Sequence, residues 1–136
     1  MLQPLESGCI LHLQRLDIEL ENGNDGRTKK FSKSAKQRDQ YETLLRHWYG
    51  QRQPFRFPVI VWVIRHIGGK KRLWDQSSGL RGNWKEIEDA LVACGWFYDD
   101  SPDWVKDVRF FQVASDPRPA KSFIELRIFR VEYVEV

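Results

Sequence analysis

The segment LRGNWKEIEDALVACGWFYDDSPDWV, residues 80–105, decides the fold. Its apolar residues recur at the spacing of one helical face, which predicts a helix over residues 83–94. Leu80 extends the same face backwards, which leaves open a start nearer Ser78. This face consists of Trp84, Ile87, Leu91 and Cys94. Asn83 and Glu86 have the spacing of a capping box at the helix start, and Gly95 is the expected stop. The predicted helix therefore leads, through an acidic turn, into a strand.

Apolar patterns on both sides of this segment predict the other regular elements. Leu16, Ile18 and Leu20 alternate with polar residues, which predicts a half-buried strand within residues 9–20. The continuous run Val59 to Ile64 is typical of a strand buried on both faces. Three further predicted elements are a helix over residues 34–49 and strands over residues 105–113 and 123–134.

The helix over residues 34–49 has its own apolar face and its own boundary signals. The face consists of Tyr41, Leu44, Leu45 and Trp48. Ser34 is the expected cap at its start and Gly50 the expected stop. The order of elements is strand, helix, strand, helix, strand, strand. The predicted fold class is α/β (α+β), a single mixed β-sheet with two main helices packed on it, forming one domain over residues 1–136.

The composition of the chain excludes several classes of protein. Hydrophobic residues make up 41% of the 136 residues and charged residues 30%, which excludes a disordered chain and an integral membrane protein. Cys9 and Cys94 have apolar neighbours and are interpreted as small buried side chains in a reduced, cytoplasmic protein. The three histidines are scattered without metal-ligand spacing, so we expect no zinc site. The N-terminus lacks the pattern of a signal peptide.

Basic residues form two groups although the formal net charge is only +3. One group lies in the loop and helix start after the first strand, and the other flanks the end of the central strand. The candidate DNA-binding residues are Lys29, Lys30, Lys33, Lys36, Arg65, Lys70, Lys71 and Arg72. Clustered cations of this kind fit a phosphodiester backbone, although charge runs are also ordinary solvated surface.

Carboxylates gather around the helix of residues 83–94. Asp75 precedes it, Asp89 lies within it, and Asp99 and Asp100 follow it. Such oxygen ligands suit Mg²⁺, which can assist displacement at phosphorus. The alternative is structural: Lys85 and Asp89 form a common i,i+4 surface pair, and Asp-Asp-Ser-Pro-Asp is a good turn.

Residues 80–105 resemble the core motif of the RusA-like Holliday-junction resolvases of bacteria and their phages. The matching elements are Lys85, then Asp89-Ala90-Leu91, Gly95 and Asp99-Asp100, followed by Ser101-Pro102 and Trp104-Val105. The resemblance implies a homodimeric, cytoplasmic nuclease of a bacterial or phage-infected cell. It implies cleavage of four-way DNA junctions with Mg²⁺ or Mn²⁺. The candidate catalytic residues are Lys85, Asp99 and Asp100, and the candidate metal ligands are Asp100 and Asp75.

The chain departs from the family just before the helix. The family has Asp-x-Asp-Asn there, whereas this chain has Gln76, Ser77, Ser78 and Gly79. Only Asp75 is close enough to replace a missing ligand, so activity requires Asp75, Asp99 and Asp100 to converge. The hypothesis is a RusA-like protein that binds branched DNA, with cleavage weakened or lost. The alternatives are an inactive DNA- or protein-binding module and an adaptor that uses exposed tryptophans.

Overall fold

The structure, a computed structural model, describes residues 2–23 and 31–135, apart from the side chains of Ser7, Cys9, Phe31 and Ser32. Its elements are β1 (Leu2–Leu16), α1 (Phe31–Tyr49), β2 (Val59–His66), α2 (Trp84–Ala93), β3 (Val105–Val113) and β4 (Phe123–Glu135). A short 3-10 turn, Gln76–Ser78, precedes α2. The predicted order of strands and helices is confirmed.

The described strands form one sheet in the order β1-β4-β2-β3. β2 and β3 are parallel, whereas β4 is antiparallel to both β1 and β2. A parallel pair needs a crossover connection, and α2 lies within the one that joins β2 to β3. The predicted fold class, a mixed sheet with two helices packed on it, is therefore confirmed. Within the described ranges, no helix is long and apolar enough to cross a membrane.

The core lies between one face of the sheet and the two helices. Alternate residues of the central strands point into it, including Val61 and Val63 from β2 and Leu126 from β4. Leu45 from α1 and Leu91 from α2 cover them, and all five side chains are buried. Burial of each side chain of this size contributes about 1.5–3 kcal/mol.

The first strand ends earlier than its apolar pattern predicts. β1 ends at Leu16, which pairs with Ile124 near the start of β4. Beyond that point β4 provides no further partner, so residues 17–20 leave the ladder. Ile18 and Leu20 are nevertheless buried in the core. For residues 17–20, the alternating pattern therefore predicted the buried side chains correctly, but the prediction that these residues belong to the strand was wrong.

The first helix begins earlier than predicted, and its apolar face is only partly covered. Ser34 lies inside α1 and is not its cap. Leu45 is fully buried, but Leu44 and Trp48 are 38% and 36% exposed. The buried stripe is narrower than the apolar one because α1 packs against the core along a single side.

The ends of α2 show one wrong and one correct prediction. The side chain of Asn83 makes no capping hydrogen bond. Instead, its Oδ1 accepts the Glu21 N–H at 2.8 Å, and its Nδ2 donates to the Glu19 carbonyl at 2.9 Å. Gly95 ends the helix as predicted, with φ +82°, and the adjacent Trp96 N–H donates to the Leu91 carbonyl at 2.9 Å.

Candidate functional site

Lys85, in the first turn of α2, links two of the predicted acidic residues. Its ammonium donates to Asp100 Oδ2, and its Nζ lies 3.2 Å from Asp89 Oδ1. Asp89 is one helical turn away, whereas Asp100 comes from the turn between α2 and β3. The structure therefore brings together Lys85 and Asp100, two of the candidate catalytic residues that the sequence analysis named.

Lys85 and Asp100 each stabilise the charged form of the other. The hydrogen bond from Lys85 lowers the pKa of Asp100, and the same bond raises the pKa of Lys85. The Asp100 N–H also donates to Asp99 Oδ1 at 2.8 Å, which fixes the Asp99-Asp100 turn. A lysine with a raised pKa stays protonated, so Lys85 is a cation and a hydrogen-bond donor at neutral pH.

Glu88 is a member of this cluster that the sequence interpretation missed. It lies on α2 between the apolar stripe and the Lys85 side, and it is only 9% exposed. Burial, followed by the negative charge of Asp100, raises the pKa of Glu88 to about 6. The available signal was its spacing, because Glu88 follows Trp84 by four residues and so shares the buried face of the helix.

Asp75 occupies a different setting from Asp100. It is exposed at the start of the 3-10 turn, where its carbonyl accepts the Ser78 N–H at 3.0 Å. The neighbouring residues fasten this segment to β3: the Trp74 N–H donates to Gln112 Oε1 at 2.9 Å. Within residues 2–23 and 31–135, no three His, Cys, Asp or Glu side chains form a group that could hold a metal ion. The expected convergence of Asp75, Asp99 and Asp100 is therefore not found.

The donor set around Asp100 does not fit the metal centre that the resemblance implies. Mg²⁺ relies on charged oxygen ligands in octahedral geometry. Asp89 and Asp100 already share the ammonium of Lys85, and the described part of the chain adds no third ligand in metal-binding position. We therefore derive no metal-dependent step for this site.

The site has an excess of negative charge. Lys85 contacts Asp89 and Asp100, and Asp99 adjoins Asp100. The buried Glu88 carboxyl lies near enough to be affected by the charges of Lys85 and Asp100, so this cluster has four carboxyl groups and one ammonium. A phosphate group approaching this cluster meets more negative than positive charge. The residues that would hold a DNA backbone must therefore lie outside the cluster.

Arg65 does not belong to a surface basic group. Its side chain is 0% exposed, and its guanidinium carbon lies 3.5 Å from the centre of the Trp74 ring. Its Nη1 donates to the Arg72 carbonyl at 2.8 Å and to Gln112 Oε1 at 3.0 Å. In this conformation it cannot reach a phosphate, so its assignment to a DNA-binding surface is corrected. The strand period gave the signal, because residue 65 falls on the same face as the buried Val63.

The other candidate DNA-binding residues are exposed where the structure describes them, and they lie in two separate parts of the fold. Lys70, Lys71 and Arg72 are exposed in the turn that follows β2. Lys33 and Lys36 are exposed on the first turns of α1. Lys29 and Lys30 lie outside the described residues.

Comparison with protein-family models gives no match for this chain, and comparison with curated protein sequences gives none either.

Proposed function

We propose that this chain is a RusA-like protein that binds branched DNA, with metal-dependent cleavage weakened or lost. The observation that carries the proposal is the direct contact of Lys85 with Asp100. Residues 80–105 resemble the resolvase motif, in which one of these residues is catalytic and the other holds the metal. Their contact across the α2–β3 connection supports the motif as a spatial unit.

Two observations favour weakened or lost cleavage over full activity. The positions where the family has acids before the helix are Gln76, Ser77, Ser78 and Gly79. The nearest acid, Asp75, joins no group of three potential metal ligands within the described residues. Any cleavage that persists would depend on added Mg²⁺ or Mn²⁺, as the resemblance implies.

The proposal includes a partner and a cellular setting. A four-way junction is two-fold symmetric, so paired cleavage or symmetric binding requires a homodimer. The resemblance places such a protein in the cytoplasm of a bacterial or phage-infected cell. The molar mass in solution, measured by light scattering with and without junction DNA, tests the homodimer.

The first experiment is a cleavage assay on a labelled four-way junction with Mg²⁺ and, separately, with Mn²⁺. We expect slow or undetectable cutting. Asp100→Asn is the matched variant, because it removes one negative charge while preserving shape. Rapid cutting that Asp100→Asn abolishes would show that cleavage is intact and would contradict the second half of the proposal.

A binding assay separates the alternatives. We expect salt-sensitive binding that favours the junction over a linear duplex of equal length. Equal affinity for both DNAs would contradict a branched-DNA function. Absence of binding to any nucleic acid would favour a protein-binding module, for which the half-exposed Trp48 on α1 offers a contact site.

A further inference from the structure

We propose that Lys70, Lys71, Arg72, Arg118 and Lys121 form one surface, the basic turn cluster, that binds the phosphate backbone of nucleic acid. All five residues are exposed. The inference rests on the proposed function, because that function supplies DNA as the ligand. What it adds is the surface that binds the DNA, which is separate from the acidic Lys85–Asp100 cluster. Arg118 and Lys121 were not among the DNA-binding candidates of the sequence analysis. They lie about 50 residues along the chain from the other three.

Two chain segments meet to form the cluster. The turn after β2 contacts the connection between β3 and β4 through the Gly69 N–H, which donates to the Pro119 carbonyl at 2.9 Å. The Gly68 N–H donates to Ser122 Oγ at 2.8 Å. The approach is so close that a Cβ added to Gly68 would lie 2.1 Å from the Lys121 carbonyl carbon. The backbones of the two segments that carry these cations are therefore held against each other.

Arg118 is held in place by the opposite segment. Its Nη1 donates to the Lys71 carbonyl at 2.6 Å and contacts the Gly69 carbonyl at 3.4 Å. These bonds involve only one of the nitrogens of its guanidinium fork. Among the described residues the other N–H groups have no acceptor, so they can donate to a phosphate, and their orientation is set before a ligand arrives.

The buried Arg65 adds positive charge beneath this surface. Its Nη1 donates to the Arg72 carbonyl, and its Nε and Nη2 are buried without an acceptor among the described residues. Burial, with Arg118 as an opposing positive charge, lowers the pKa of Arg65, while Glu19 partly offsets this. A charge in a low-dielectric interior is screened less than one in water, so its field reaches the surface above it.

The balance of charge favours a polyanion as the ligand. Three acids of the described residues lie close to the five cations along the chain or in space. Asp75 follows Arg72 by three residues, Asp116 precedes Arg118 by two, and Glu19 Oε1 is 4.0 Å from Lys71 Nζ. The exposed cluster therefore keeps an excess of positive charge. A nucleic-acid backbone presents regularly spaced phosphates to several cations at once, which suits exposed side chains along two adjoining segments.

The test measures the salt dependence of binding with fluorescently labelled DNA, using a four-way junction and a linear duplex of equal length. The double variant Arg118→Gln/Lys121→Gln is compared with Arg56→Gln/Lys106→Gln. The control removes the same two positive charges, but before β2 and at the start of β3. These positions lie at the end of the two parallel strands that is opposite to the basic turn cluster. A second variant, Lys70→Gln/Lys121→Gln, leaves the Arg118 hydrogen bonds intact. Circular dichroism and thermal unfolding establish that each variant is folded.

We expect each cluster variant to lower affinity at least tenfold on both DNAs. The slope of log affinity against log salt should become shallower by about 1.8, since each lost phosphate contact removes about 0.9. The control should retain the slope. Equal losses in cluster and control variants, or no DNA binding at all, would overturn the inference. Binding of poly-glutamate as tight as that of DNA would also overturn it, because the surface would then accept any polyanion. If the cluster variants lose binding but the wild-type protein binds the junction and the linear duplex equally, the inference stands. Only the proposed branched-DNA function is then contradicted.

Discussion

At the scale of single residues, the site is one cation surrounded by acids. Lys85 bonds Asp100 and lies within 3.2 Å of Asp89, and Glu88 adds a buried carboxyl group beside them. The ammonium therefore neutralises carboxylates that would otherwise repel one another. Lys85 thus holds Asp89 and Asp100 close together despite their like charge.

Glu88→Gln should change stability in a pH-dependent way. The pKa of Glu88 is raised from 4.5 to about 6, so between these values the folded state binds more protons than the unfolded state. The free energy of unfolding therefore falls as pH rises through this window, by about 1–2 kcal/mol in total. The variant lacks the ionising group and should be about 1 kcal/mol more stable than wild type at pH 7.5 but not at pH 4.

Urea unfolding at the two pH values measures this difference. Glu132→Gln, an exposed position on β4, is the control and should change stability by less than about 0.5 kcal/mol at both pH values. The same gain for Glu88→Gln at pH 4 as at pH 7.5 would contradict the role of ionisation.

Lys85→Gln should raise the pKa of Asp100. The lysine hydrogen bond is the largest cause of the low pKa, and its removal leaves Asp100 beside other negative groups. Nuclear magnetic resonance titration of the carboxyl carbons gives the value directly. Lys36→Gln on α1 removes the same charge elsewhere and should leave the Asp100 titration unchanged. A low pKa that persists in Lys85→Gln would show that another group stabilises the carboxylate.

At the scale of elements, the helices end at glycines whose surroundings differ. Gly50 after α1 and Gly95 after α2 have φ of +70° and +82°. Space is open around Gly50, whereas a Cβ at Gly95 would lie 2.1 Å from the Arg52 carbonyl oxygen. The end of α2 is also bonded to this segment, since the Arg52 N–H donates to the Cys94 carbonyl at 2.9 Å.

Gly50→Ala and Gly95→Ala should therefore have unequal costs. Both force a side chain into the left-handed region, at about 1 kcal/mol. Gly95→Ala must also move the Arg52 backbone, so we expect it to be at least about 1 kcal/mol less stable than Gly50→Ala. Chemical unfolding of the two variants measures the difference. Equal destabilisation would mean that the Arg52 segment moves freely.

The sequence predicted elements better than their contacts. Each predicted strand and helix has its own apolar period, and this local pattern was sufficient for their order. The end of β1 was missed because the extent of β4 decides it. Likewise, the strand period could have placed Arg65 inside, but the adjacent Lys70-Lys71-Arg72 run made it resemble surface charge. Arg118 could not be assigned to the basic turn cluster from sequence because a contact between distant loops places it there.

At the scale of the whole molecule, the sheet curls so that a side chain of one edge strand reaches a side chain of the other. β1 and β3 lie at opposite edges of the order β1-β4-β2-β3, yet Glu6 Oε1 is 3.0 Å from Arg109 Nη1. Trp62 lies on the same face as Arg109, with its ring centre 4.7 Å from those of Phe111 and Phe129. The curl thus covers aromatic residues on the face opposite the helices.

A double-mutant cycle of Glu6→Gln and Arg109→Gln should reveal coupling between the edges. The Glu6 side chain is 18% exposed and that of Arg109 is 39% exposed, so we expect a coupling energy of about 0.5–1 kcal/mol. In Glu6→Gln, amide hydrogen exchange should accelerate in residues 2–6 and 132–135, because the ladder between these two segments is their only sheet pairing in the described part of the chain. Residues 124–128 of β4, held on both sides by β1 and β2, should keep their protection and serve as the internal control. Uniform acceleration across β4 would contradict a local closure, because it would mean that the Glu6–Arg109 contact stabilises the sheet as a whole.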